Sequence, residues 1–139
     1  MLRILLTEDD DDQRALFREI LTEAGYEVLE ARSGHEALEL LKRERLDLVV
    51  LDIQMPGMDG IDAIGKILAL DRRVPVIFHS AFPAYKANFL TWAADAFVVK
   101  SGEPNDLVEA IRKVCGDRSL ARTSAVGPDV LQRHVETRT

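Results

Sequence analysis

Glu8 and Asp9 follow a short apolar run, Leu2-Arg3-Ile4-Leu5-Leu6-Thr7, and Asp52 follows another, Leu48-Val49-Val50-Leu51. Each run is almost continuously apolar and too short for a buried helix, so it reads as a buried parallel strand. Carboxylates at the carboxyl ends of such strands stand where open α/β sheets bind ligands. Three of them crowded together repel, so the arrangement calls for a hard cation or for raised pKa values. Ser80 closes the run Val76-Ile77-Phe78-His79, and Lys100 closes Phe97-Val98-Val99. Together these strand ends describe a magnesium-dependent phosphoryl-acceptor site.

Each group has a chemical task in that reading. Asp52, at the rim of the core, supplies the carboxylate oxygen that attacks a phosphoryl group in line. Mg²⁺ bridges that carboxylate and a phosphoryl oxygen and offsets the accumulating charge. It keeps several waters, so two or three protein oxygens suffice. Lys100 is a point charge for a second phosphoryl oxygen, and the Ser80 hydroxyl donates to a third. Plainer roles exist for each residue alone: a helix cap for Asp52 and Ser80, a snorkelling stem for Lys100, macrodipole partners for an acidic cluster. Asp10, Asp11 and Asp12 fit that last role. Four strand ends agreeing is hard to ascribe to capping.

The elements that must position these groups alternate five times between apolar runs and amphipathic stretches. Strands are expected at 2–7, Tyr26–Glu30, 47–52, Val74–Ser80 and Ala96–Val99. The first helix runs from about Asp11 to Ala24, with Leu16, Phe17, Ile20, Leu21 and Ala24 on one stripe, and Gly25 closes it. Ser33 and Glu36 form a capping box opening a helix to about Glu44. The loop Ile53–Gly60 precedes a helix with Ile61, Ile64 and Leu68 inside. A fourth helix spans about Pro83 to Ala93. A fifth starts near Pro104 and buries Leu107, Val108, Ile111 and Val114. Five βα units imply a doubly wound α/β fold, a parallel sheet of five strands with right-handed crossovers and helices on both faces; the flavodoxin-like order 2-1-3-4-5 is expected because it sets strands one and three side by side at the switch point, though the βα count alone does not prove it. Only a close pairing of strands one and three brings Asp9 to Asp52.

At 139 residues and 47% hydrophobic content the chain is expected to form one domain, residues 1–115. Residues 116–139 read as a polar tail, flexible or with one short helix around Val130, Leu131 and Val135. No run reaches transmembrane length, no signal-peptide pattern opens the chain, and the single Cys115 fits a reducing cytosol and a core thiol. The net charge of −6 disfavours direct nucleic-acid binding. His35, His79 and His134 lie in no phosphodonor pattern, and His79, alternating with Ser80, reads as a partly buried structural histidine.

The ordered set of Glu8-Asp9, the stretch DLVVLDIQMPGMDG from Asp47 to Gly60, Ser80-Ala81 and FVVK from Phe97 to Lys100 resembles the receiver domain of two-component response regulators. The likeness covers about residues 2–115. It implies that Asp52 is the phosphoacceptor and that Glu8 (through water), Asp9, Asp52 and the backbone carbonyl of Gln54 hold Mg²⁺. It also implies that Ser80 and Lys100 contact the phosphoryl group and that Phe97 is an aromatic switch coupled to Ser80. Gln54 and Phe82 match positions that tune hydrolysis. An apolar Phe82 is expected to exclude water and slow self-dephosphorylation. The chain departs from the pattern in three places. Ser101 stands where proline in a cis peptide is usual. Because a non-proline cis bond costs about 2.5–4 kcal/mol, a trans bond and an altered loop are expected. The span from Ser80 to Phe97 is two residues short. The intervening helix is aromatic, with Tyr85, Phe89 and Trp92 at core-packing spacing.

The expectation is a standalone cytoplasmic receiver, monomeric or weakly dimeric. It takes a phosphoryl group from a histidine kinase or phosphotransfer protein and signals to an unknown protein target, without membrane or nucleic-acid contact. It is not an enzyme beyond self-catalysed transfer and hydrolysis. The rival readings are a receiver-like binding module that is never phosphorylated, and a flavodoxin-like cofactor protein, against which the acidic run from Glu8 to Asp12 argues by repelling a flavin phosphate.

Overall fold

The computed structural model describes residues 1–55, 57–81, 94–100 and 102–123. Five strands, β1 (Arg3–Thr7), β2 (Glu27–Ala31), β3 (Leu48–Leu51), β4 (Val76–Ser80) and β5 (Ala96–Val99), form one sheet in the order β2-β1-β3-β4-β5. All four pairings are parallel. The helices are α1 (Asp11–Glu23), α2 (Gly34–Arg43), α3 (Gly60–Leu70) and α4 (Asn105–Thr123). The expected strand order therefore holds, with β1 beside β3. α4 continues past the boundary placed at residue 115. The expected helix at 83–93 with Tyr85, Phe89 and Trp92, the lifetime position Phe82, the Lys100–Ser101 bond and residues 124–139 lie outside the described residues.

Alternation along the strands sorts the core into two halves. Leu5, Val49, Leu51, Val76 and Phe78 point to one face and pack with Ala37 of α2 and Ala63, Ile64 and Ile67 of α3. Ile4, Leu6, Leu48, Val50, Ile77, Ala96 and Val98 point to the other, against Phe17 and Leu21 of α1 and Leu107, Val108 and Ile111 of α4. Strands covered on both faces need no polar alternation, which is why the sequence shows solid apolar runs.

The helix boundaries follow from their caps. Asp10 accepts from Gln13 N–H at 3.0 Å, Ser33 from Glu36 N–H at 3.2 Å and Asp59 from Asp62 N–H at 2.8 Å. Gly25, at φ +99°, closes α1 in a conformation that favours glycine. Two stripe assignments need correction. Leu16 is half exposed, because the buried stripe of α1 runs Arg14, Phe17, Leu21. In α3 the central buried residue is Ile67, whereas Ile61 and Leu68 pack at the margin. The four positions expected inside the last helix are all buried.

The buried Thr7 hydroxyl at the end of β1 has no hydrogen-bond partner among the described residues. A desolvated hydroxyl left unpaired is a net cost. Thr7→Val is expected to stabilise the fold by about 1 kcal/mol, read as a higher urea midpoint at unchanged m-value.

Candidate functional site

The strand ladder fixes which chain ends meet. Beyond the last rung of β1 and β3, Asp52 N–H donates to the Thr7 carbonyl at 3.2 Å, and Glu8 N–H donates to the Ala31 carbonyl at 3.0 Å. Lys100 N–H donates to the Ser80 carbonyl at 2.8 Å. Glu8, Asp52 and Lys100 each continue the alternation of residues facing α1 and α4. All three side chains therefore rise on the same side of the sheet edge. Lys100 Nζ donates to Asp52 Oδ2 at 2.8 Å, to Gln13 Oε1 at 2.8 Å and, in a short contact, to Glu8 Oε1. The other Asp52 oxygen, Oδ1, accepts from Gln54 N–H at 3.1 Å. Glu8 and Asp52 are buried, whereas Asp9 and Gln54 are exposed.

Carboxylate oxygens of Glu8, Asp9 and Asp52 lie within 4.8 Å of one another. Burial pushes the Glu8 carboxyl above its usual range; the Lys100 hydrogen bond opposes this and the Asp52 charge reinforces it. Partial shielding and the neighbouring Glu8 push Asp9 upward as well. Burial alone lowers the Lys100 pKa, but its bonds to Asp52 and Glu8 outweigh that and raise it, so the ammonium stays charged. Three carboxylates facing one ammonium leave an excess of negative charge. The donors are all oxygen, and one carboxylate opens to solvent. That set fits a hard divalent ion such as Mg²⁺, whose preference is for carboxylates plus retained waters.

Ser80 is fully buried at the end of β4. It and Phe97 share the parity of the opposite face. Phe97 pairs in register with Phe78, their ring centroids 6.4 Å apart, and packs at the margin of the α2–α3 half of the core. His79 is buried and meets Phe17 edge to face at 4.5 Å. Burial first, and the Lys100 charge second, lower its pKa to about 3. It is therefore a neutral core imidazole.

Three supporting residues escaped the sequence reading. Gln13 gave no signal, because a polar residue in a first helical turn is ordinary. Arg14 did give one: it occupies the inward 14, 17, 21 stripe, where a charge needs a buried partner. Its guanidinium donates to the Glu8 carbonyl at 2.9 Å and pairs with Asp11 at 2.5 Å and Glu30 at 3.3 Å, bracing the acidic loop. Gly60 seats α3 directly on the acceptor strand end. Its N–H donates to the Ile53 carbonyl at 2.6 Å, and a Cβ there would lie 2.4 Å from the Asp52 carbonyl oxygen. Asp10, Asp11 and Asp12 serve the helix start as expected, Asp10 as the cap and the others in the first turn.

An acidic crevice at the switch point of a five-stranded parallel sheet, with a lysine reaching in from the last strand, defines the receiver class of α/β domain. Comparison with known proteins agrees. The response regulator receiver domain family matches residues 4–112, and the chain belongs to it. Chemotaxis protein CheY of Thermotoga maritima is 40% identical over 115 residues, spanning 81% of this chain and 96% of that protein. The response regulator TrrA of Thermotoga maritima, solved in complex with Mg(2+)-BeF, is 39% identical at a TM-score of 0.78, covering 81% of this chain and 98% of that one. TrrA has also been solved in complex with the histidine kinase ThkA; there the identity is 39%, the TM-score 0.77 and the coverage 81% and 97%.

Two outcomes are expected. Gly60→Ala forces α3 away from Asp52 and costs about 1–3 kcal/mol in urea denaturation. For His79, the folded pKa lies below the ordinary 6.5, so the unfolded chain binds the proton first and stability is lost as pH falls from about 6.5 toward 3. Between pH 7 and 4.5 the wild type should lose roughly 2–3 kcal/mol more than His79→Gln, measured by denaturation at both pH values.

Proposed function

We propose that Asp52 accepts a phosphoryl group from the phosphohistidine of a partner kinase or phosphotransfer protein, and that the phosphorylated domain signals by binding another protein. The carrying observation is the meeting of Glu8, Asp52 and the Lys100 ammonium in one crevice, formed by residues far apart in the chain. An Asp52 oxygen attacks phosphorus in line, a P–O bond forms, and the P–N bond to the donor imidazole breaks. Backbone N–H of Gln54 and the Lys100 ammonium orient the two Asp52 oxygens beforehand. Lys100, kept protonated, shifts its charge to a phosphoryl oxygen, and the Ser80 hydroxyl donates to another. Phe97 follows Ser80, biasing a two-state equilibrium on the face of β4 and β5.

Glu8, Asp9, Asp52 and the Gln54 carbonyl are the groups that would hold Mg²⁺, which when bound neutralises charge on the transferring phosphoryl group. The complexes of TrrA with Mg(2+)-BeF and with a histidine kinase support the cofactor and the partner class. The domain turns over no substrate beyond its own acyl phosphate. No described helix is long and apolar enough to cross a membrane, and we place its action in the cytoplasm. Acetyl phosphate with Mg²⁺ is expected to label the wild type, seen as a phosphoryl mass increment, and to leave Asp52→Asn unlabelled. Equal labelling would sink the acceptor assignment, and no labelling of either, with partner binding intact, would favour the unphosphorylated binding module.

A further inference from the structure

We propose that Gln13 is a positioning residue for Lys100, holding the ammonium over Asp52 when the carboxylates turn to a cation. The proposal rests on the acceptor reading above. An ammonium has three N–H donors and no acceptor, and here all three have partners: Glu8 Oε1, Asp52 Oδ2 and Gln13 Oε1. Two of these partners belong to the acidic cluster. A divalent ion entering that cluster competes for the same oxygens and repels the ammonium. Gln13 is the partner outside the cluster. It is a neutral acceptor, so it secures the nitrogen without adding a fourth negative charge to the crevice.

The placement of Gln13 is built into the start of α1. Its own N–H donates to Asp10 Oδ1 at 3.0 Å, so the cap following the Glu8-Asp9 pair also fixes the backbone from which the amide reaches Lys100. The side chain is half-buried, which limits competition from water. A lysine stem has many rotamers to lose. Acceptors from β1, β3 and α1 locate its nitrogen in three directions, whereas two carboxylates alone leave it free to swing toward solvent. With Gln13 in place, Lys100 remains within reach of an oxygen on the Asp52 phosphoryl group.

The test uses the full chain. Gln13→Met is close in size, favours helix and lacks the acceptor. It is expected to slow labelling by acetyl phosphate at saturating Mg²⁺ by about three- to tenfold, the range of one typical net hydrogen bond, and to have no further effect in a Lys100→Ala background. In metal-free protein, acylation of Lys100 by a limiting amount of an active ester, located by peptide mass spectrometry, should rise severalfold in Gln13→Met and stay near the wild-type rate in Gln13→Glu, which keeps an oxygen at the same reach. Unchanged labelling and acylation in Gln13→Met overturn the proposal while the acceptor assignment stands. Equal loss of labelling with and without Lys100 also overturns it, reducing Gln13 to packing. A wild type that acetyl phosphate does not label overturns the acceptor assignment, and the proposal with it.

Discussion

Every feature of the crevice answers to one electrostatic constraint: carboxylates are forced together at the ends of adjacent strands, and one internal ammonium holds them. Two carboxylates about 5 Å apart repel by roughly 3–4 kcal/mol at the effective dielectric of a protein surface, and by less where water screens them. Asp9, open to solvent, is of the screened kind. Glu8 and Asp52 are not, and Lys100 bridges both. Removing that cation would leave two buried charges facing each other, which costs more than the ion pairs themselves contribute. The lysine is thus first a condition for the acids to coexist in the folded chain, before any phosphoryl group arrives.

What fixes the acids there is the ladder. β1 and β3 are neighbours in register, so their carboxyl ends finish level, and the bond from Asp52 N–H to the Thr7 carbonyl extends that register one residue past the last rung. Arg14 braces the acidic loop from below through the Glu8 carbonyl, and Gly60 brings α3 against the Asp52 backbone. The site's parts hang from strand ends and helix caps rather than from long loops, the placement that holds a site most precisely.

Much of this was legible in the chain. The apolar runs announced buried parallel strands, the adjacency of strands one and three followed from needing Asp9 near Asp52, and Gly25 and Ser33 marked helix ends through their own chemistry. Four strands differ from expectation by one or two residues at a limit while Ala96–Val99 matches, since nothing in a residue beside a strand marks whether it joins the ladder. Apolar character alone points Leu16 inward, whereas the inward position on that face of α1 belongs to Arg14, a charged residue. The roles of Gln13 and Gly60 were not legible. A hydrogen bond from β5 to α1 and a close approach of α3 to Asp52 depend on distances across the fold, which spacing along the chain does not encode.

The sheet separates two half-cores that share backbone but almost no side-chain neighbours. The acids and lysine stand above the half packed by α1 and α4, and α3 meets the Asp52 backbone at Gly60. Away from Ser80 and Phe97, which share the α2–α3 face, sequence change in that half is separated from the acids and the lysine by a layer of hydrogen-bonded backbone, and substitutions in the two halves should combine almost additively. Such a molecule can diversify one flank during evolution while the reactive flank stays nearly fixed.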